Sequence, residues 1–387
     1  MRKTALSLAV AGCMAAPIAA STSTSASTNT ASTAVQATSP ALVVTTVVRG
    51  LDIPWDVKPL PNGRLLITER DTRRLLLWNG SSLRGVRFPS ASVWSRGETG
   101  LMSLAIDPRF ASNRRFYTCS GGFTTTGNDV RVRAWKLRHG PLRARLIRTL
   151  VSKVPATDGR HGGCRLLITS RGSMLVGTGD AATGTNPRDL SSLGGKTLRV
   201  NRFTGAPLPG NPFVSSRNPR TRLIWTFGHR NVQGLAERAD HTLWSVEHGS
   251  YRDDEINLLQ AGGDYGWNPV PGYNEAVPMT DPNLEGEQVE ARWSSGTPTV
   301  ATSGATFVKG SAWGSLDGTL AVAALKSSRL MFFPVTAAGM IATPVTPPEL
   351  TSYGRLRSVT RLRDGSLLVS TSNGGQTDQI LRVRPAS

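Results

Sequence analysis

Ser358-Val-Thr-Arg-Leu-Arg-Asp-Gly-Ser-Leu-Leu-Val-Ser370 reads as a short apolar strand, a turn built on Asp364-Gly365 and a second apolar strand. Asp-Gly and Asn-Gly pairs between apolar runs are hairpin signals. The same phrase stands at Trp55 to Thr68, Arg165 to Gly177 and Gly234 to Val246, with looser copies at Gly100 to Cys119 and Gly304 to Ala323. Repeats at roughly 50-residue spacing with no long helical periodicity predict an all-β fold of radially stacked antiparallel sheets, a propeller of six or seven four-stranded blades. The β-branched run Leu42 to Val48 suits a strand that pairs with Gln379 to Arg384, which closes the ring and hides its edges.

The 387 residues fit one such ring, because each added sheet extends the ring and founds no separate core. Met1-Arg2-Lys3 and the apolar stretch Ala5 to Ala20 read as an export signal at 1–20, too short to cross a bilayer. Val10-Ala-Gly-Cys13 also resembles a lipoprotein processing site, so lipidation of Cys13 stays open beside cleavage after Ala20. Residues 21–40 are almost wholly Ser, Thr and Ala, without charge or aromatic side chain, and read as a disordered spacer. The catalytic domain is then expected at 41–387. No other segment is apolar for long enough to be a transmembrane span, and the working compartment is expected to be extracytoplasmic. The formal charge of +19 is mostly arginine spread along the chain, which indicates a solvated basic surface and not a nucleic-acid partner.

A propeller's inner strands converge on one axis, so its chemistry has to come from loop residues scattered along the chain. Three stretches stand out. Ile224 to Ala236 ends an apolar strand at Phe227, turns at Gly228 and presents Arg230, Asn231 and Gln233 together. Arg160-His161-Gly162-Gly163-Cys164 places a scarce histidine before a glycine pair, and Arg96-Gly97-Glu98 offers a carboxylate. In Arg355-Leu356-Arg357 the two guanidinium groups share one face of a strand. The glycine run Gly177 to Gly184 has the wrong spacing for a dinucleotide site and reads as a turn between blades, which argues against a nicotinamide cofactor.

Gly228-His-Arg-Asn-Val-Gln-Gly-Leu235, Ser245-Val-Glu-His-Gly-Ser-Tyr-Arg-Asp-Asp-Glu-Ile-Asn257 and Gly262-Gly-Asp-Tyr-Gly-Trp267 resemble the soluble quinoprotein sugar dehydrogenases from about Gly50 to the C terminus. The resemblance implies six blades, pyrroloquinoline quinone (PQQ) and Ca2+. It implies that His161 is the general base, with Arg230 also at the reacting centre. Glu98 and Arg160 fall at substrate-binding positions, where Glu98 replaces a glutamine and Arg160 an aspartate of glucose-oxidising members. Cys164 departs from the family's glycine in the His161 motif. Arg230, Asn231, Gln233, Thr299, Lys326, Arg355, Arg357 and Thr371 match cofactor-binding positions. The carbonyls of Gly249 and Ser250 match those that hold the calcium beside PQQ, with Ser250 replacing a proline. Glu255 and Tyr265 match a second, structural calcium site.

Cys119 and Cys164 remain once a leader is removed, in a compartment that permits disulfides; adjacent blades can bring them together as a bridge, or leave two buried thiols. The function these features imply is PQQ- and calcium-dependent oxidation of an aldose at its anomeric carbon to the lactone, with electrons passed to an external acceptor. The rivals are a propeller that binds carbohydrate or protein at the cell surface without turnover, and a calcium-dependent lactonase. Fold alone does not separate them. Lys326, Arg355 and Arg357 favour PQQ, because neither rival needs a cradle for three carboxylates. Nothing in the sequence fixes the sugar, the acceptor or the oligomeric state.

Overall fold

The computed structural model describes residues 39–138, 140 and 142–386. The expected leader, Cys13, the spacer apart from residues 39 and 40, and His139 lie outside the described residues. Six antiparallel sheets make a six-bladed β-propeller. Their innermost strands are Pro54–Pro59, Leu101–Ile106, Arg165–Ile168, Val232–Glu237, Thr302–Phe307 and Leu356–Arg361. Each packs against the next, and the sixth against the first, so the ring is closed. In the first five blades the chain then steps outward strand by strand, and in the sixth the outermost strand comes from the start of the described chain.

Closure uses both ends of the described chain. Leu42–Leu51 is the outermost strand of the sixth sheet and pairs with Asp378–Pro385, Val43 opposite Arg384 and Thr45 opposite Arg382. The fifth sheet departs from the four-stranded expectation: it has Thr302–Phe307, Leu320–Ala324 and Arg329–Phe333 only. Its outer edge is met by isolated bridges, Phe332 to Val345 and Val335 to Ile341. The reason lies in the sequence that follows. Pro334, Pro344, Pro347 and Pro348 lack the amide hydrogens that a fourth ladder would need.

Strands buried between neighbouring blades read as unbroken apolar runs. Ser173–Gly177, Leu320–Ala324 and Leu367–Thr371 are buried at every position. Between the second and third blades, Val130, Val132, Met174, Val176 and Leu198 pack as one cluster. Inner strands approach so closely that some positions exclude a side chain. A Cβ at Gly234 would lie 2.3 Å from the Ser303 carbonyl oxygen, and one at Gly304 would lie 2.8 Å from the Ser358 Cα.

Cys119, in Arg115–Phe123, and Cys164, just before Arg165–Ile168, are joined by a disulfide with a Cα–Cα distance of 5.5 Å. Both are fully buried, and the bridge spans a sequence separation of 45 residues. It staples the loop holding His161 to the neighbouring blade. Replacing both cysteines by alanine is expected to lower unfolding free energy by about 2–4 kcal/mol. Denaturant unfolding checks this, and an unchanged midpoint would show that the bridge contributes nothing.

Candidate functional site

The segments entering the six inner strands all open at one end of the ring, and they carry most of the residues singled out above. Trp55 and Asp56 come from the first blade, Glu98 precedes the second and His161 the third. Arg230, Asn231 and Gln233 come from the fourth, Ser303 from the fifth, and Arg355 and Arg357 from the sixth. Contacts across the axis join them. Arg357 Nη1 donates to Gln233 Oε1 at 3.0 Å, Gln233 Nε2 donates to Asn231 Oδ1 at 2.9 Å, and Asn231 Nδ2 donates to Glu98 Oε2 at 3.3 Å. Glu98 Oε2 also accepts the His161 amide at 3.0 Å.

His161 is buried and sits in the left-handed region at φ 48°. Such strain persists where the surroundings enforce it. Gly179 accommodates it: its missing side chain leaves room for the His161 carbonyl, and a Cβ there would lie 1.8 Å from that oxygen. The next residue, Asp180, is fully buried and accepts a 2.8 Å hydrogen bond at Oδ1 from His161 Nδ1. Asp180 Oδ2 in turn accepts from Trp267 Nε1 at 2.8 Å and from the Tyr273 hydroxyl at 2.7 Å. Tyr273 also lies 2.9 Å from His161 Nδ1. Burial and the Asp180 charge push the Tyr273 phenol up, so it stays protonated. With Nδ1 engaged, Nε2 is the nitrogen left to meet a substrate. His229 differs, because both its ring nitrogens are consumed, by Glu247 and by Thr226 at 2.8 Å each.

The cations form a second group. Arg165 stacks on Trp55 at 4.1 Å, and its Nη1 donates to Asp56 at 3.1 Å. Burial opposes ionisation of Asp56, but Lys58 and Arg165 outweigh it and hold the carboxyl below its usual range. Burial, then repulsion from Arg70 and Arg165, pushes the Arg357 guanidinium down to about 9. Arg355, expected to share a strand face with Arg357, stands just before the strand Leu356–Arg361 and is exposed; burial of part of it and then the nearby Arg70 lower the pKa of its guanidinium. Arg165 Nη2, Arg230 Nε, Arg357 Nε and His248 Nε2 are buried without a hydrogen-bond partner. Arg165 and Arg230 each have a carboxylate partner, Asp56 and Glu275, whereas Arg357 has none among the described residues, and the unpartnered donor atoms suit an anion with several acceptor oxygens.

Beside it, Lys326 Nζ donates to Thr299 Oγ1 at 3.1 Å, and the Thr299 amide donates to the Tyr251 carbonyl. Asp254 ties this segment to the Gly249–Ser250 turn. Its carboxylate accepts the amides of Gly249 at 2.9 Å, Val300 at 2.7 Å and Ala301 at 2.6 Å. Neither the Gly249 nor the Ser250 carbonyl oxygen accepts a hydrogen bond among the described residues. No three His, Cys, Asp or Glu side chains are grouped for a metal among the described residues. A cation at this turn therefore has to take backbone oxygens, which calcium accepts.

Three expected residues lie apart from this cluster. Thr371 is satisfied within its own blade: its hydroxyl donates to Asp378 Oδ1 at 2.6 Å and accepts the Gln379 amide at 2.9 Å. Glu255 and Tyr265 sit behind His229, where Thr280 Oγ1 lies 3.4 Å from Glu255 Oε1 and 3.2 Å from the Tyr265 carbonyl oxygen. Burial and the neighbouring Glu247 push the Glu255 carboxyl well up, which a bound cation would relieve.

Asp56, Arg70, Asp180, Tyr273 and Glu275 were not singled out from the sequence. Only Asp180 carried a signal, standing between Gly179 and Ala181 in the run read as a turn. Cavity size is no guide either. Grooves of about 530 Å³, lined by Ser170, Glu237, His241, Lys309 and Arg361, and about 370 Å³ lie at the other end of the inner strands.

The pattern of the glucose/sorbosone dehydrogenase family matches residues 51–382. An uncharacterized protein of Synechocystis is 30% identical over 370 residues, covering 88% of this chain and 87% of its own. The aldose sugar dehydrogenase of Escherichia coli is 29% identical over 355 residues, covering 87% and 91%. The solved PQQ-bound aldose sugar dehydrogenase of Streptomyces coelicolor is 27% identical with a TM-score of 0.74, over 90% of this chain and 99% of that one. With the propeller closed and the His161 and Arg357 groups at one mouth, the chain belongs to the glucose/sorbosone dehydrogenase family, among the soluble quinoprotein sugar dehydrogenases.

Proposed function

We propose that the protein is an exported, PQQ- and calcium-dependent dehydrogenase that oxidises the anomeric carbon of an aldose to the lactone and passes electrons to an external acceptor. The observation that carries this reading is the buried cation group around Arg357. Its guanidinium is held to about 9 by burial and like charges, a cost that a ligand with three carboxylates removes and a neutral sugar does not. Arg165, Arg230, Arg355, Arg357 and Lys326 are the residues that would hold PQQ, with Asn231 and Gln233 aligned by hydrogen bonds between them. The Gly249 and Ser250 carbonyls would hold the calcium beside it.

When bound, PQQ supplies an ortho-quinone that takes up a hydride, the hard part of the chemistry. The protein's part is orientation and proton transfer. His161 Nε2 removes the anomeric hydroxyl proton as the hydride departs, which the imidazole does only when neutral. Asp180 accepts from Nδ1, fixes the tautomer that leaves Nε2 free, and stabilises the imidazolium that forms. Tyr273 and Trp267 hold Asp180 in turn. Glu98, bonded to the His161 amide, sets the backbone of the base.

Arg357→Ala is expected to weaken PQQ binding about a hundredfold, the loss of a cation opposite a buried carboxylate. Equilibrium titration of the purified protein measures it, and unchanged affinity would remove Arg357 from the cradle. His161→Ala should bind PQQ normally yet lose about 10²- to 10⁴-fold in turnover. A variant that keeps more than about a tenth of wild-type turnover would take the base role from His161. Chelating calcium should lower the melting temperature of the cofactor-free protein, and Glu255→Gln should abolish most of that response. Equal responses in the variant and the wild type would show that Glu255 holds no cation.

A further inference from the structure

The segment between Trp267 and Thr280 crosses the mouth and delivers two side chains to it. Tyr273 packs against His161 with ring centroids 5.9 Å apart, and the Arg160 guanidinium lies over the Tyr273 ring at 5.9 Å. Two residues on, Glu275 Oε1 accepts from Arg230 Nη2 and, at 3.4 Å, from Arg160 Nη2. Both guanidinium contacts fall on that one oxygen. Oε2 has no hydrogen-bond partner among the described residues, and the side chain is 36% exposed. Burial alone would raise the carboxyl's pKa, but Arg230 and Arg160 hold it below the usual range. Glu275 is therefore an ionised acceptor, fixed in direction, with one oxygen free beside the base.

We infer that Glu275 is a substrate-binding and specificity-determining residue: Oε2 accepts a hydroxyl of the sugar ring whose anomeric carbon lies at His161. This rests on the aldose-oxidising reading above and narrows it to a substrate class. A carboxylate accepts and cannot donate, so it bonds a sugar hydroxyl strongly and repels a sugar that carries its own carboxylate. The site is thus built for neutral aldoses and against uronic acids. Arg160, at a substrate-binding position of the resemblance, also helps to aim Glu275 through its Nη2 contact.

The test compares wild type and Glu275→Gln, both loaded with PQQ and calcium and assayed with an artificial electron acceptor. The substrates are an oxidised neutral aldose, its single-deoxy analogues and the matching uronate. Because Glu275 touches Arg230, PQQ affinity is titrated for both proteins first. For the parent sugar, kcat/KM should fall about ten- to a hundredfold in the variant, the worth of a hydrogen bond to a charged group, with most of the change in KM. One deoxy analogue should erase the difference between the two proteins, and the preference of the wild type for the neutral sugar over the uronate should narrow. An equal loss on every deoxy analogue, or a loss that follows PQQ affinity alone, would overturn the assignment. So would full retention of activity on the parent sugar while the wild type turns over normally, which leaves the aldose reading standing. Failure of the wild type to oxidise any aldose sinks that reading and this inference with it.

Discussion

A single carboxylate beside the axis, Asp56, fastens the ring where the functional loops begin. It is fully buried and accepts from Ser103 Oγ and the Leu104 amide of the second blade at 3.0 Å each, and from Arg165 of the third at 3.1 Å. Arg165 then donates through Nε to the Gln233 carbonyl of the fourth at 2.7 Å. A buried ion pair adds little net stability in general, because desolvation offsets the attraction. Its effect here is one of register: four inner strands are held at a common height, so loops far apart in sequence meet at one mouth.

From that register follows a division of labour. The cation group sits deep, among Trp55, Arg165 and Arg357, where burial magnifies both attraction and repulsion. His161 sits on a strained turn that Gly179 accommodates and Cys119–Cys164 staples. The carboxylates Glu98 and Glu275 are partly exposed at the same mouth, bonded to the His161 amide and to Arg230. The groups differ in polarity: buried guanidinium donors, an imidazole held by Asp180, and carboxylate acceptors.

Much of this was legible in the chain, and the unread parts share a cause. Hairpin phrases repeat, so the blades and the closure of Leu42–Leu51 onto Asp378–Pro385 follow from local pattern. His161, Arg230 and Arg357 stand in stretches whose composition is unusual for a turn or strand. Asp180, Tyr273 and Glu275 are single polar residues in turns, where aspartate, tyrosine and glutamate are unremarkable. Their roles exist only through side-chain contacts with His161 and Arg230, which no local pattern encodes. Thr371, at a cofactor position of the resemblance, donates its hydroxyl to Asp378 within its own blade, another contact that no local pattern encodes. The fifth sheet lost its fourth strand to prolines that were visible, yet the repeat count carried more weight than the missing amides.

The pairing of Leu42–Leu51 with Asp378–Pro385 also imposes an order in time. Val43 finds its partner only in Arg384, so the outer edge of the last sheet cannot form until nearly the whole chain is available. Local hairpins form early, whereas contacts between distant segments come late because a long loop must close first. The mouth cannot take its final shape before the sixth inner strand, with Arg355 and Arg357, docks between the fifth and the first. Assembly of the ring and completion of the cation group are thus one event, and an unclosed chain presents no finished cradle.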